Sequence, residues 1–454
     1  MTAERGGLGR AARAGLIASM AVTTLAATAF GQGPRSVVTP ERVRALDDRE
    51  WRVKAEKMRA HLLPLMRKHG VDLLVVMSRE NAVDPVVSLF GGHGVTGWYG
   101  HRNAYLFFDP GGERPLETTA LGTHLSGHLS RFYDTIRNYG EEGLAPHLKQ
   151  YVDDRRPRRI AVNRSRTISM FDGLTVSLSD YLIDAIGPEH AAKLTSSEPL
   201  LVEYASVHTP EEHDIAREAS RGTFDILRRA FSNEAITPGR TRLMDLHYWI
   251  TAERRIQGFE FNFPASLDLQ RPGGVSLDDA DDPVVERGDL LHVDFGVTLS
   301  GIVTDQQKMA YVLKEGETAP PAGLVRAFAE SQRAAAIVLE EMKPGRTGIE
   351  IKRAAESRAS AEGLQLLVYS HVQGYWVHDA GVWMIHDWPE RYGDHPRFRL
   401  LGGEWISLEF STTTAVPEWG GQAVRMMREE DVLVHPDGRT EYLSGPQTEL
   451  WTIR

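Results

Sequence analysis

The sequence contains no cysteine among its 454 residues. Disulfide scaffolds, zinc fingers, iron–sulfur clusters and cysteine nucleophiles are therefore excluded. Any metal ion that the protein binds has to be held by histidine, aspartate and glutamate side chains.

The sequence also lacks an excess of positive charge, because 52 lysine and arginine residues stand against 62 aspartate and glutamate residues, a formal net charge of −10. This balance argues against nucleic acid as a partner. The composition, with 41% hydrophobic and 25% charged residues, is that of a globular protein. The length predicts two or three domains.

Long apolar runs are missing except at the N-terminus, where Arg5, Arg10 and Arg13 precede the stretch AGLIASMAVTTLAATA, residues 14–29. This stretch is short for a membrane span, which needs about 20 residues. It predicts a secretory signal peptide over residues 1–31, with cleavage at the small residues near its end. We therefore expect an exported protein, periplasmic or secreted, with no membrane span once the signal is removed. An uncleaved anchor or a misassigned start remains open.

Residues 40–207 have the pattern of a separate, smaller α/β domain. Apolar and charged residues recur at helical spacing over residues 53–69, and the short apolar run at 71–77 is typical of a buried strand. Similar strand patterns occur at residues 104–108 and 160–162.

Residues 208–454 contain an internal repeat. The segments ITPGRTRLMDL, residues 236–246, and MKPGRTGIEI, residues 342–351, each place PGRT before a predicted helix, with Thr241 and Thr347 as candidate caps. A second matching pair, residues 286–296 and 401–411, carries Asp294 and Glu409. Two related halves facing each other would bring these two carboxylates together at a pseudo-twofold axis.

A carboxylate within an apolar strand is costly to bury unless it is paired, hydrogen-bonded or bound to a metal. The segment DFGVTLSGIVTD forms two strand patterns around Ser300 and Gly301, so a hairpin would bring Asp294 and Asp305 to one site. Further acids and a histidine cluster complete an oxygen-rich set that suits two divalent cations; these residues are Glu409, Glu429, His371, His378 and His386.

The ordered series of these residues resembles the pita-bread metallopeptidases, which include methionine aminopeptidase, aminopeptidase P and prolidase, with creatinase as a metal-free relative. The resemblance implies an α/β pita-bread fold over residues 208–454. It also implies a metal-ligand set that reads Asp294, Asp305, His378, Glu409 and Glu429. Residues 40–207 resemble, more weakly, the additional N-terminal domain of aminopeptidase P, prolidase and creatinase.

The histidine ligand is assigned by the spacing that the family shows. The family's H-x-x-G-H pattern would place Tyr375 on the metal here, whereas HDAG keeps a glycine three residues after His378, as the family's ligand segment does. His378 is therefore expected on the metal, with His371 as the alternative. In this assignment His371 stabilises the tetrahedral intermediate. His386, eight residues after His378 rather than the usual seven, contacts the substrate.

The last ligand is assigned to Glu429 rather than to the neighbouring Glu430, because it stands three residues before an apolar run, as the family's last ligand does. The family's substrate-facing histidine has no counterpart in FNFPASLDLQRPGG, residues 261–274.

The resemblance implies a peptidase for short peptides, of the Xaa-Pro aminopeptidase or dipeptidase kind. In the family a hydroxide that bridges two metal ions attacks the peptide carbonyl, and Glu409 would accept the proton. Mn²⁺ is the expected ion, with Co²⁺ and Zn²⁺ as alternatives. A non-catalytic peptide-binding protein and a creatinase-like amidinohydrolase are the other functions that remain open, and so does a homodimer.

The signal peptide yields a first prediction. Protein recovered from the medium or the periplasm of the producing cell should begin shortly after residue 29, because a signal peptidase cleaves behind small residues. N-terminal sequencing of that protein measures the start. Protein that begins at Met1 and stays in the cytoplasm would refute the prediction.

Overall fold

The computed structural model describes residues 38–92, 101–123, 125 and 127–454. The predicted signal peptide, residues 1–31, lies outside these residues. Beyond residue 36 the contacts group the chain into one unit. The strands of a six-stranded sheet lie between residues 73 and 196, and those of two further sheets between residues 260 and 453. The predicted boundary at residues 207 and 208 falls between these two groups of strands.

The N-terminal part is a mixed sheet with helices around it. Its elements are α1 Pro40–Lys57, α2 Leu63–Lys68, β1 Leu73–Arg79, β2 Arg102–Phe108, β3 Glu117–Gly122, β4 Thr135–Asn138, α3 Ala145–Arg155, β5 Ile160–Val162, α4 Val176–Ala191, β6 Leu194–Ser196 and α5 Glu198–Ser206. The strand order is β4-β3-β2-β1-β5-β6. The three strands expected from the sequence are β1, β2 and β5, so this part of the prediction is confirmed.

The C-terminal part begins with two helices, which are followed by seven strands. These elements are α6 Pro210–Ala230, α7 Leu243–Ile256, β7 Glu260–Phe261, β8 Ser266–Arg271, β9 Val275–Asp278, β10 Leu290–Phe295, β11 Val297–Leu299, β12 Ile302–Val303 and, as the last of the seven strands, β13 Gln306–Val312. The chain continues with α8 Ala322–Glu341, α9 Gly348–Ala361, β14 Gln365–Val368, β15 His371–Gln373, α10 Pro389–Tyr392, β16 Glu404–Val416, β17 Gln422–Val434, β18 Thr440–Tyr442 and β19 Trp451–Ile453.

The strand order of the large sheet shows the internal repeat. The order is β14-β16-β17-β13-β10-β8-β9, so β8, β10 and β13 on one side mirror β14, β16 and β17 on the other. The pseudo-twofold axis passes between β13 and β17. Each half also begins with two helices, α6 and α7 or α8 and α9. The predicted pseudo-symmetric pita-bread architecture is therefore present.

The two faces of the large sheet differ in chemistry because side chains alternate along each strand. Residues on one face pack in hydrophobic clusters with the helices; among them are Leu291, Val293, Ile406 and Leu408. Their neighbours along the same strands, His292, Asp294, Ser407 and Glu409, are polar and project to the other face. One face of the sheet thus holds the fold together, and the other is free to carry a site.

The predicted hairpin around Ser300 and Gly301 is present. β11 pairs antiparallel with β12, with Leu299 opposite Ile302. Both turn residues have positive φ, +46° for Ser300 and +76° for Gly301, as a two-residue hairpin of the favoured twist requires. The turn reverses the chain between Asp294 and Asp305.

The two PGRT segments differ in how they cap their helices. Thr347 caps α9: its side chain accepts a hydrogen bond from the Glu350 backbone, and its own backbone N–H donates to the Glu350 carboxylate at 2.8 Å. In the first copy α7 begins one residue later, and the cap is Arg242 rather than Thr241. The prediction of a threonine cap is confirmed for Thr347 and wrong for Thr241.

Among the described helices, none is both long and apolar enough to cross a membrane.

The cap on α9 generates a stability prediction. Thr347→Ala should lower the free energy of unfolding by about 1 kcal/mol, because the orphan N–H of the first turn loses its acceptor. Urea denaturation measures the change. Thr347→Ser keeps the hydroxyl and serves as the matched control, and equal loss in both variants would contradict a capping role.

Candidate active site

Four strands bring one row of polar side chains across the seam of the large sheet. Asp294 on β10 lies opposite Gln307 on β13. Gln307 lies opposite Glu429 on β17, and Glu429 lies opposite Glu409 on β16. Residues directly opposite in neighbouring strands project to the same face. Three carboxylates and one amide therefore share a line on the face that the helices leave free.

A second row lies beside the first. Asp431 stands opposite Ser407, and Ser407 stands opposite His371 on β15. The backbone N–H of Asp305, just ahead of β13, donates to the Asp431 carboxylate at 3.0 Å. Because Asp431 is two residues beyond Glu429, both rows face the same way.

The ligand atoms of these side chains converge in two groups, and within each group they lie within 4.8 Å of one another. The first group is Asp305, His371 and Glu429, and the second is Asp294, Glu409 and Glu429. Glu429 belongs to both. The structure thus brings together all four predicted carboxylates.

Several atoms of this cluster are buried without a hydrogen-bond partner. They are Oδ1 of Asp294, Oδ1 of Asp305, Oε2 of Glu429 and Nε2 of His371. Buried polar atoms in native proteins are nearly always paired. Oxygen and imidazole donors aimed at one another, rather than at protein donors, are the arrangement that divalent cations satisfy. The residues present therefore fit bound metal.

The electrostatics of the cluster point the same way. Burial, and then the charges of Asp294, Glu409 and Asp431, raise the pKa of Asp305 well above its usual range. Burial and the charge of Asp294 raise the pKa of Glu409 to about 8. The pKa of Glu429 is raised well above its ordinary value by burial and by the charge of Asp305. Cations between these groups would remove the repulsion that opposes their ionisation.

The structure places His371, and not His378, among the carboxylates. Its Nε2 lies 3.6 Å from Asp305, 3.7 Å from Glu429 and 3.8 Å from Glu409. Burial and the neighbouring His378 lower the pKa of His371 to about 3, so the ring is neutral, as a metal ligand must be. His378 packs against this ring, with the ring centroids 4.4 Å apart.

A sequence signal for His371 exists as well. Gly374 stands three residues after His371, and His378 stands seven residues after it. The segment HVQGYWVHD therefore meets both spacings that the resemblance implies, whereas HDAG, which begins at His378, meets only the first.

The remaining site candidates lie apart from the cluster. His386 is exposed, and it belongs to neither ligand group. The Tyr375 hydroxyl donates to Glu212, and it accepts a hydrogen bond from Lys57 of α1 at 2.8 Å. Glu430, the alternative to Glu429, pairs with Lys308 at 2.7 Å within a buried ionic group.

The sequence analysis did not identify Asp431, which supports the cluster through hydrogen bonds. One of its oxygens accepts from the Asp305 backbone and from Gln373 at 2.6 Å. The other accepts from Ser220 and Gln306, each at 2.6 Å. Its four hydrogen bonds tie α6 and both halves of the sheet to the position of Asp305.

A second supporting set was also missed. The Gln307 amide donates to Glu409 at 2.6 Å, and its oxygen lies 3.0 Å from His292. The other ring nitrogen of His292 lies 2.6 Å from Asp268. His292 stands two residues before Asp294, so strand alternation alone would have placed it on the site face.

A cleft of about 510 Å³ adjoins the cluster at His378. Tyr375, Trp376 and Phe261 form part of its wall. Residues from the N-terminal part complete it; they are Glu50, Lys54, Ser88 and Met170. Both parts of the chain thus enclose the space in front of the candidate site.

Comparison with known proteins gives the class of the molecule. Residues 214–436 match the profile of Peptidase_M24, metallopeptidase family M24. This region contains every member of the carboxylate and histidine cluster. No curated protein matches the chain in a sequence search.

Solved structures share the fold of nearly the whole chain. An X-Pro aminopeptidase from Thermotoga maritima MSB8 superposes with a TM-score of 0.64 at 18% identity, covering 86% of this chain and 99% of its own. An Xaa-Pro dipeptidase from Bacillus anthracis gives a TM-score of 0.59 at 17% identity, covering 88% and 99%. The prolidase from Pyrococcus horikoshii OT3 gives 0.58 at 17% identity, covering 87% and 99%.

The fold and the profile together define a metallopeptidase, which is a hydrolase that uses divalent metal. Its C-terminal region, residues 214–436, belongs to metallopeptidase family M24. The predicted pita-bread fold, the accompanying N-terminal domain and the metallopeptidase class are confirmed.

The raised carboxyl pKa values generate a prediction about metal and pH. A carboxyl group whose pKa is raised by folding favours the fold while it is protonated, and this stability is lost as pH rises. For Glu409 the loss falls between its ordinary 4.5 and about 8. The lowered pKa of His371 acts in the opposite direction below pH 6.5, but its ring is already neutral at pH 5 in the folded protein, so it adds no proton cost to metal binding at either pH. Mn²⁺ should therefore raise the melting temperature of chelator-treated protein more at pH 8 than at pH 5, which calorimetry at each pH measures.

The comparison with and without Mn²⁺ cancels the titration of acids outside the cluster. Glu409→Gln removes one of the titrating groups and should reduce the pH dependence of the Mn²⁺ effect. Equal stabilisation by Mn²⁺ at pH 5 and pH 8 would refute the prediction.

Proposed function

We propose that the protein is a dinuclear metal-dependent peptidase that hydrolyses short peptides next to proline, as an Xaa-Pro aminopeptidase or dipeptidase does. The observation that carries the proposal is the convergence of four carboxylates and one imidazole, within the M24 region, on two groups that share Glu429.

The proposed ligands are Asp294, Asp305, His371, Glu409 and Glu429. His371 takes the place that spacing assigned to His378, because His371 is the imidazole that lies within 4 Å of three carboxylates. Glu429 is the candidate bridging ligand, since it belongs to both groups. We propose Mn²⁺ as the native ion, because hard oxygen donors with a single imidazole suit it.

Bound divalent ions would supply a water activated for attack near neutral pH and would polarise the peptide carbonyl. Side chains of the protein would accept and transfer the proton. Glu409 is the candidate acceptor: Gln307 binds its Oε1, and Oε2 faces His371 at 3.8 Å. The same carboxyl group would return the proton to the leaving amine.

His378 is the candidate substrate contact. It is exposed, it lines the cleft, and its ring packs on His371. A neutral imidazole at this place has a ring N–H to offer to the peptide carbonyl beside the cluster. We propose His378 in place of His386, because His386 does not line the cleft.

The cleft supports a short substrate. Its volume falls within the range of pockets that enclose small ligands. Lys54 of α1 and Met170 close it from the N-terminal side, so a long chain would meet this wall. The proline preference rests on the names of the similar structures, which are an X-Pro aminopeptidase, an Xaa-Pro dipeptidase and a prolidase.

Neither alternative function has a supporting observation. A non-catalytic peptide binder was of interest because Tyr375 stands where a ligand histidine was expected, but His371 supplies an imidazole to the cluster. A creatinase-like amidinohydrolase would have no use for four converging carboxylates.

A peptide panel tests the proposal. Mn²⁺-loaded protein should hydrolyse Ala-Pro or Ala-Pro-Ala in preference to Ala-Ala-Ala, because the cleft is proposed to select proline at the second position. Cleavage of Ala-Pro alone would identify a dipeptidase, and release of alanine from Ala-Pro-Ala an aminopeptidase. Chromatography of the products measures each rate.

Two variants link that activity to the cluster. Asp294→Ala and Glu409→Ala should each lower kcat by more than about 100-fold, since even residues that only orient ligands cost 10- to 100-fold. Glu315→Ala removes an exposed acid and should leave kcat unchanged. Mn²⁺-bound protein that cleaves no peptide of the panel would refute the proposed function.

A further inference from the structure

We propose that Asp268, His292 and Gln307 form a positioning chain that fixes the Glu409 carboxylate. The inference rests on the proposed function only for the catalytic part played by Glu409. The three residues lie on β8, β10 and β13, which are neighbouring strands of the large sheet in the first half of the repeat. Glu409 lies on β16 in the second half.

An unbroken series of polar contacts connects Asp268, which is partly exposed, to Glu409 in the cluster. Asp268, whose side chain is a quarter exposed, lies 2.6 Å from Nδ1 of His292. Nε2 of His292 lies 3.0 Å from Oε1 of Gln307. Nε2 of Gln307 donates to Oε1 of Glu409 at 2.6 Å.

When Glu409 is ionised, as metal binding requires, the positioning chain has a carboxylate at each end, and these carboxylates set the direction of every hydrogen bond. A carboxylate only accepts, so Gln307 turns its amino group to Glu409 and its carbonyl oxygen to His292. His292 then donates from both ring nitrogens, one to Gln307 and one to Asp268. The amide orientation of Gln307 is therefore not free: a flip would set its oxygen against the Glu409 carboxylate.

The position of Gln307 among carboxylates explains why this residue is an amide rather than an acid or an apolar residue. It lies in the row between Asp294 and Glu429, directly opposite both. An acid at this position would add a further negative charge to the buried cluster, and an apolar residue would leave Oε1 of Glu409 without its donor. An amide adds no charge and still donates.

The other half of the repeat has a comparable support. Ser407 stands two residues before Glu409, as His292 stands two residues before Asp294, and it donates to Oε1 of Glu429. The difference between the halves is that Ser407 binds its ligand carboxylate directly, whereas His292 acts on Glu409 through Gln307.

Glu409 has three rotatable side-chain bonds, so a carboxylate without a partner would sample several orientations. With Oε1 held by Gln307, Oε2 is the oxygen that faces His371 at 3.8 Å. The positioning chain thus fixes the Glu409 carboxylate in one orientation, in which Oε2 would be available to a bound cation or to a proton.

The test uses the full protein and Mn²⁺ alone as the probe, in competition with a chelator. Gln307→Met and Asp268→Leu should each weaken Mn²⁺ affinity by about 10- to 100-fold, the usual cost of removing a residue that orients a ligand. Asp268→Asn keeps an acceptor for the Nδ1–H of His292 and should restore most of the affinity. Gln332→Met, on the exposed side of α8, is the matched control.

Peptide hydrolysis at saturating Mn²⁺ gives the second readout. Gln307→Met should lower kcat by about 10-fold or more with little change in KM, because the variant alters the proton acceptor and leaves the cleft intact. If Gln307→Met does not fold, the pair Asp268→Leu and Asp268→Asn carries the test, since Asp268 is partly exposed.

Parental Mn²⁺ affinity and kcat in folded Gln307→Met and Asp268→Leu would overturn the positioning chain. So would equal loss of affinity in Asp268→Asn and Asp268→Leu. Parent protein that binds Mn²⁺ but hydrolyses no peptide would refute the proposed function instead, and the chelator competition would still decide the positioning chain.

Discussion

Mutual repulsion among four carboxylates, two of them buried and two partly buried, is the constraint on which the catalytic region depends. Asp294, Asp305, Glu409 and Glu429 come from four segments that meet at the seam between two halves. Without compensation they hold protons at pH values where exposed acids are ionised. The fold offsets the free-energy cost of this repulsion, because the opposite face of the same strands buries a large apolar surface against the helices. Stability and site are thus placed on opposite faces of one sheet.

The pseudo-twofold repeat brings the ligands of this site together at the seam between the two halves. Each half supplies two carboxylates, Asp294 and Asp305 in the first half and Glu409 and Glu429 in the second. Joining two halves at β13 and β17 doubles the carboxylates at the seam and gives two ligand groups, each of which combines residues from both halves within 4.8 Å of one another. The halves have since diverged in the residues that support the ligands: His292 and Gln307 serve one carboxylate, whereas Ser407 serves another.

Features that repeat in the sequence were predicted well. The two halves and the hairpin at Ser300 and Gly301 followed from local spacing, and the set of four carboxylates followed from the resemblance to the pita-bread metallopeptidases. What failed depended on partners distant in sequence. Thr241 does not cap its helix, because the residue that bridges to a neighbouring segment becomes the cap, and in the first copy that residue is Arg242 opposite Val284.

The histidine assignment is a different case. His371 and His378 each precede a glycine by three residues, so the glycine spacing did not choose between them, and only the histidine seven residues after His371 favoured it locally. The pairing of β15 with β16 decides the assignment, because it sets His371 opposite Ser407 and beside the carboxylates. Gln307 and His292 could have been found from strand alternation around Asp294 and Asp305. Their contact with Glu409, more than 100 residues away, could not.

The buried ammonium group of Lys57 bears on how far the two parts of the chain are independent. Lys57 belongs to α1, but its partners, Tyr375 and Glu212, belong to the C-terminal part. A catalytic region produced alone would keep a buried glutamate and lose the cation that faces it. The segment that carries His371 and His378 would lose an anchor at the same time. The N-terminal part is therefore more than an attached domain, because it supplies the cation that compensates a buried carboxylate of the catalytic region.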